Sequence, residues 1–171
     1  MVRRAPVIPK RQQRKTALLV GEGLAEQAFL NHLKTLFVER GSKQITVKTA
    51  KGKGGAHVLD YTRRQNVQAD YDQVGVLLDT DTDWDNEQRT LALKLGIEVF
   101  EARPCLEALL LRAAGHRASP STAQCKKVFK QKFGAEAHAP GLFERHFSMA
   151  LLEDACKRES ELARLVSFLL R

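Results

Sequence analysis

Carboxylates gather at two places in this 171-residue chain. One is Glu22, with Glu26 four residues on; the other is the ladder Asp79, Asp81, Asp83 and Asp85, which follows the apolar run Val74-Gly-Val-Leu-Leu78. Acids packed this closely repel one another unless a cation sits among them. Mg²⁺ (or Mn²⁺) suits such a place, because it takes a few carboxylates and keeps waters for substrate phosphates. A site of that kind activates water and neutralises charge developing on a phosphoryl group, so phosphodiester chemistry needs no protein nucleophile. Glu22, Asp79 and Asp81 are the first candidates, with Glu26 and Asp83 as further candidate ligands. The bland alternative makes the Asp ladder an Asx-rich turn capping the next helix, and Glu26 a first-turn acid favoured by the helix dipole.

The elements around these acids decide whether they can meet. Residues 16–20 read as a short buried strand broken by Gly21-Glu22-Gly23. A helix follows from Leu24, with Phe29, Leu33 and Phe37 at helical spacing and Gly41 as its stop. Ile45–Thr49 reads as a second strand, rich in β-branched residues, and Ala56 to about Gln68 as a second helix. The third strand covers 73–79, a helix 86–95 and a fourth strand 97–100. Four alternations of strand and helix over about a hundred residues predict βαβ units and a parallel sheet. Sites in such sheets lie beyond the carboxyl ends of the strands. If the first and third strands are neighbours, Glu22 faces Asp79 across one crevice.

Beyond Gly115 the pattern changes. A loop over 116–122 leads to a helix near 123–133, a connection over 134–141, and a last helix over about 151–170. The expected organisation is a basic arm (1–15), an α/β domain (16–115) and a small helical C-terminal extension (116–171). No apolar run reaches the ~20 residues needed to span a bilayer, and the basic N-terminus has no secretory apolar core. The three cysteines, Cys105, Cys125 and Cys156, are far apart and form no CxxC pair, so the expectation is a cytoplasmic protein without a disulfide framework or zinc site.

The net charge is +8, and six of those charges are Arg3, Arg4, Lys10, Arg11, Arg14 and Lys15, with no acid among them. Such an arm fits a tether for phosphate backbones, or equally a solvated tail. A second basic block comprises Arg112, Arg117, Lys126, Lys127, Lys130 and Lys132. Two basic blocks raise nucleic acid, DNA or RNA, above other acidic partners. Lys51 and Lys53, in the glycine-rich Lys51–Gly55 turn, could present charge and backbone N–H groups to a phosphate, though the turn does not match a P-loop.

Leu18-Leu-Val-Gly-Glu22-Gly-Leu-Ala-Glu26 followed by Leu77-Leu-Asp79-Thr-Asp81 resembles the two signatures of the TOPRIM domain. The chain is most similar to the RloB-like branch of that fold, found beside restriction and phage-defence genes. That branch carries an Asn-Pro-Cys-Phe-Glu segment before a leucine-rich helix; here it reads Arg103-Pro104-Cys105-Leu106-Glu107, with Arg103 and Leu106 as the departures. The resemblance covers residues 16–115. It implies a TOPRIM-like parallel sheet flanked by helices and an Mg²⁺-dependent, nuclease-like site in a bacterial anti-phage setting. Glu22 would then be general acid/base and metal neighbour, Asp79 and Asp81 metal ligands, and Glu107 a further site residue. A defence partner such as an ATPase is compatible with that setting. The rival expectation keeps the fold but catalyses nothing, binding nucleic acid or a partner as a sensor.

Overall fold

Alternating strand and helix patterns fold into βα units whose strands all run the same way. The computed structural model describes residues 13–81 and 83–171. It contains β1 (Thr16–Gly21), α1 (Leu24–Phe37), β2 (Gln44–Thr49), α2 (Gly54–Ala69), β3 (Gln73–Asp79), α3 (Asn86–Lys94) and β4 (Glu98–Ala102). Then come α4 (Leu106–Ala113), α5 (Thr122–Phe133), α6 (Leu142–His146), α7 (Met149–Cys156) and α8 (Ser160–Leu170). The sheet order is β2-β1-β3-β4, and every pairing is parallel. β1 and β3 are thus neighbours, in a register that sets Gly21 against Leu77.

Side chains alternate across each strand, so the two sheet faces bury different residues. Leu18, Val20, Val74, Val76 and Leu78 pack with Val58 and Leu59 of α2 and Ala92 of α3. Ala17, Leu19, Leu77 and Phe100 pack with Phe29 and Leu33 of α1, Leu109 of α4, Phe129 of α5 and Phe168 of α8. The helices beyond residue 115, expected as an extension on the sheet domain, therefore share its core. Gly75 in β3 makes room for this: a Cβ there would stand 3.0 Å from both Leu19 and Phe100 and 3.3 Å from Phe168.

The helix expected over 151–170 is two helices. Lys157, Arg158 and Glu159 break it, and long-range bonds hold the break: Arg158 donates to the Ala113 carbonyl at 3.0 Å and Glu159 pairs with Arg112 at 3.1 Å. α1 ends at Phe37, short of Gly41, as Val38 turns extended. Among the described residues no helix is long and apolar enough to cross a membrane.

Candidate functional site

The turn after β1 is tight because its residues allow it. A Cβ on Gly21 would lie 2.7 Å from the Gln27 nitrogen and 2.8 Å from the Glu26 Cβ, so only glycine brings α1 back this closely. Glu26 reaches back to accept the Gly23 N–H at 2.8 Å and starts α1. Glu22 continues the β1 ladder by donating its N–H to Leu77 at 3.0 Å. Its carboxylate then accepts the Asp79 N–H at 3.1 Å. Asp79 in turn accepts the Leu106 N–H at 2.9 Å, satisfying a free donor at the start of α4. One chain of bonds thus runs from the end of β1 through the end of β3 to the start of α4.

These groups lie in a cleft of ≈ 960 Å³ at the carboxyl ends of the strands. Its lining includes Glu22, Glu26, Asp79 and Glu107 together with Lys51, Lys126, Lys127, Lys130 and His138. Glu26 and Glu107 are 7% and 9% exposed, so this floor is recessed. Among the described residues the Glu107 carboxylate accepts no hydrogen bond and makes no ion pair.

Crowding and burial shape the protonation of the floor. The Asp79 carboxyl is pushed up to about 8 by burial first, then by Glu26, Glu107, Glu22 and Asp81. Burial also raises Glu22; the Asp79 amide opposes the rise, Asp81 and Asp83 add to it, and Lys126 subtracts. Glu26 is raised by burial, against the bonds from its own and the Gly23 amide, with Glu107 and Glu22 contributing. Lys126 is held above its usual range: burial would lower it, but Glu107 and Asp79 outweigh that.

The other sequence candidates lie elsewhere. Asp81 is exposed and does not line the cleft, although its charge is felt by Glu22 and Asp79. Asp83 accepts the Gly55 N–H at 3.1 Å, tying the acidic loop to the start of α2. Asp85 is the N-cap of α3 and accepts the Gln88 N–H at 3.0 Å, so one rung of the ladder is the helix cap that the bland reading anticipated. Lys53 is the exposed N-cap of α2. Arg14 and Lys15 precede the start of β1, a strand length (roughly 20 Å) from the cleft. Arg3, Arg4, Lys10 and Arg11 lie outside the described residues.

Two groups weighed as chemical candidates are structural. Trp84 is buried and donates its indole N–H to Glu101 at 2.7 Å, so its faces are committed to the fold. Cys105 is fully buried, and burial pushes its thiol up to about 12. What sequence reading missed is the lysine wall. Lys126, Lys127 and Lys130 were visible as a basic block, but only the packing of α5 beside α4 carries them to the acids.

Among the described residues no three His, Cys, Asp or Glu side chains are close enough to hold a metal ion together. The carboxylates of Glu22, Glu26 and Asp79 are instead turned onto backbone amides. This does not exclude Mg²⁺, which is commonly held by one or two carboxylates with water and substrate oxygens completing its shell. The unpartnered Glu107 and the charge crowding on Asp79 fit a cation at this floor. No family model matches the chain, and no curated protein or solved structure matches it.

Proposed function

We propose that this chain is a TOPRIM-like, RloB-like protein that hydrolyses phosphodiester bonds of nucleic acid with Mg²⁺ or Mn²⁺, as part of anti-phage defence. The observation that carries the reading is the gathering of Glu22, Glu26, Asp79 and Glu107 on one recessed floor, where burial first and the neighbouring acids next push Asp79 up to about 8. A divalent cation would relieve that load, and lysines in the same cleft would receive phosphates.

Asp79 and Glu107 would hold the cation from the floor, with water and substrate oxygens completing its shell, and Asp81 would act on it only through its charge from outside the cleft. The bound ion would polarise a phosphoryl oxygen and favour hydroxide at a bound water. Glu22, raised by burial, would take a proton at a carboxylate oxygen more readily than an ordinary glutamate and return it to the leaving oxygen. Lys126, held charged by Glu107 and Asp79, would bind a non-bridging phosphate oxygen. Lys51 lines the same cleft.

The second reading is a sensor that binds nucleic acid or a defence partner, such as an ATPase, without catalysis. The engagement of three carboxylates by backbone amides favours it. Titration calorimetry with Mg²⁺ and Mn²⁺, followed by cleavage assays on labelled nucleic acid, separates the two. The enzyme reading expects metal binding that vanishes in Asp79→Asn/Glu107→Gln. It also expects cleavage that falls at least about a hundredfold in Glu22→Gln with nucleic-acid binding retained. Tight nucleic-acid binding with no metal uptake and no cleavage would sink it in favour of the sensor.

A further inference from the structure

We propose that the cleft accepts a single, unpaired nucleic-acid strand, gripped by the lysines of α5 opposite the carboxylate floor. This rests on the phosphodiester reading of the site and adds the form of the substrate.

The floor is the first reason. Glu26 and Glu107 are 7% and 9% exposed, so a phosphate must descend between walls to reach them. Leu24, Lys51, Lys126, Lys127, Lys130 and His138 line the cleft with them. The cleft's ≈ 960 Å³ is at the upper end of ordinary ligand-site volumes, which leaves room for a few nucleotides. A duplex is a rod wider than its own ~12 Å major groove. A rod of that width is too large for a recess of this volume, whereas a lone strand can enter edge-on and bring a phosphate to the buried acids.

The walls supply the second reason. α5 carries no acidic residue, so its lysines are not neutralised on their own helix. Lys126 and Lys130 are one helical turn apart with Lys127 beside them, and all three line the cleft, so a phosphate backbone entering it meets several cations close together. Glu136 pairs with Lys130 only at 3.7 Å and in the open, a contact that a phosphate can replace. At the mouth, Leu24 is 61% exposed. It offers apolar surface to an unstacked base, a face that a paired duplex keeps covered.

The test is fluorescence anisotropy with a labelled 12-residue single strand, as DNA and as RNA, against the duplex of the same sequence, in EDTA. The single strand is expected to bind at least about tenfold more tightly. Lys126→Glu/Lys127→Glu/Lys130→Glu should lose at least about tenfold, and its salt dependence should flatten by about two units of slope. Arg40→Glu/Lys94→Glu/Lys157→Glu makes the same change of charge at exposed positions outside the cleft lining and should lose less than about threefold; Lys126→Gln/Lys130→Gln provides a milder second variant. Equal or tighter duplex binding, or lysine variants that bind like wild type, overturns the proposal. Mg²⁺ calorimetry on the same proteins separates the two readings. Lysine-dependent strand binding without metal uptake supports the groove and overturns the hydrolase, whereas metal uptake without strand preference overturns the groove alone.

Discussion

The carboxylate of Glu22 accepts the backbone N–H of Asp79 at 3.1 Å, linking the end of β1 to the end of β3 across 57 residues of sequence. The bond fixes the positions of the two acids relative to the sheet rather than to a loop. It exists because β1 and β3 are adjacent and parallel, so both chains turn out of the sheet at the same level. Gly21 and Gly23 flank Glu22, and the first of them admits no side chain.

That link has a cost that pH exposes. The folded Asp79 carboxyl is raised from an ordinary value near 3.8 to about 8. A raised acid contributes stability that is complete below the unfolded value and is lost as pH rises through the folded one. The metal-free protein should therefore lose on the order of 2–4 kcal/mol between pH 4 and pH 9 through this group. Asp79→Asn keeps an oxygen for the Leu106 N–H and removes the charge, so its urea-unfolding stability should be flatter over that range and exceed wild type at pH 9. Wild type that is no less stable at pH 9 than the variant would show that the acids are not crowded as described.

A second prediction concerns the turn itself. Gly21→Ala drives a Cβ into the Gln27 nitrogen and the Glu26 Cβ. Backbone lies on one side of this clash, so the start of α1 must shift, at about 1–3 kcal/mol as in other overpacked sites. Because Glu22, next to the clash, holds the backbone of the proposed ligand Asp79, metal affinity should fall together with stability. Denaturant unfolding read beside calorimetry checks this; a stable variant with weakened metal binding would mean the turn is pliable.

β1 and β3 were legible because each is a short apolar run ended by glycine or acid, a pattern that burial on both faces imposes, and β2 because β-branched residues predominate in it. Glu22 and Asp79 were legible because they end such runs. The rest was not, for a physical reason in each case. Lys126 reaches the cleft through the packing of α5 beside α4, a contact that local periodicity does not encode. The break at Lys157–Glu159 rests on bonds to Ala113 and Arg112, which no window over 151–170 contains. The Asp ladder looked uniform, yet its members separate into a floor acid, an exposed acid, a tie to Gly55 and the cap of α3. Their neighbours differ while their spacing does not.

The helices beyond residue 115 should be indispensable to the sheet. Phe168 of α8 is 1% exposed and packs edge-on to Phe100 of β4 at 5.6 Å between ring centroids. Phe168→Ala should cost about 3–5 kcal/mol, as for other buried aromatics. Gly75→Ala, which crowds the same ring from β3, should cost about 1–3 kcal/mol. A chain ending at residue 115 should expose the face formed by Leu19, Leu77 and Phe100 and fail to give a cooperative unfolding transition. A soluble, cooperatively folding 1–115 fragment would establish the C-terminal helices as a separate unit.

Glu101 anchors the acidic loop from behind, and its effect can be read through the single tryptophan. Its carboxylate accepts the Trp84 indole N–H at 2.7 Å, Arg89 Nε at 2.5 Å, and a further bond from Arg103. Burial would raise this carboxyl, but Arg89, Trp84 and Arg103 together hold it down at about 2. A depressed acid contributes stability that is present above its ordinary value near 4.5 and is lost as pH falls through about 2. Glu101→Gln should therefore cost about 1–3 kcal/mol at pH 7, and the difference from wild type should shrink toward pH 2. Trp84 is the only tryptophan, so its emission reports the loop directly. In the variant it should shift to the red and become more open to acrylamide quenching, because a buried indole loses its acceptor. Unchanged emission with lowered stability would place the contribution of Glu101 in the pairing of Arg89 and Arg103 and not in holding the loop that follows Asp79.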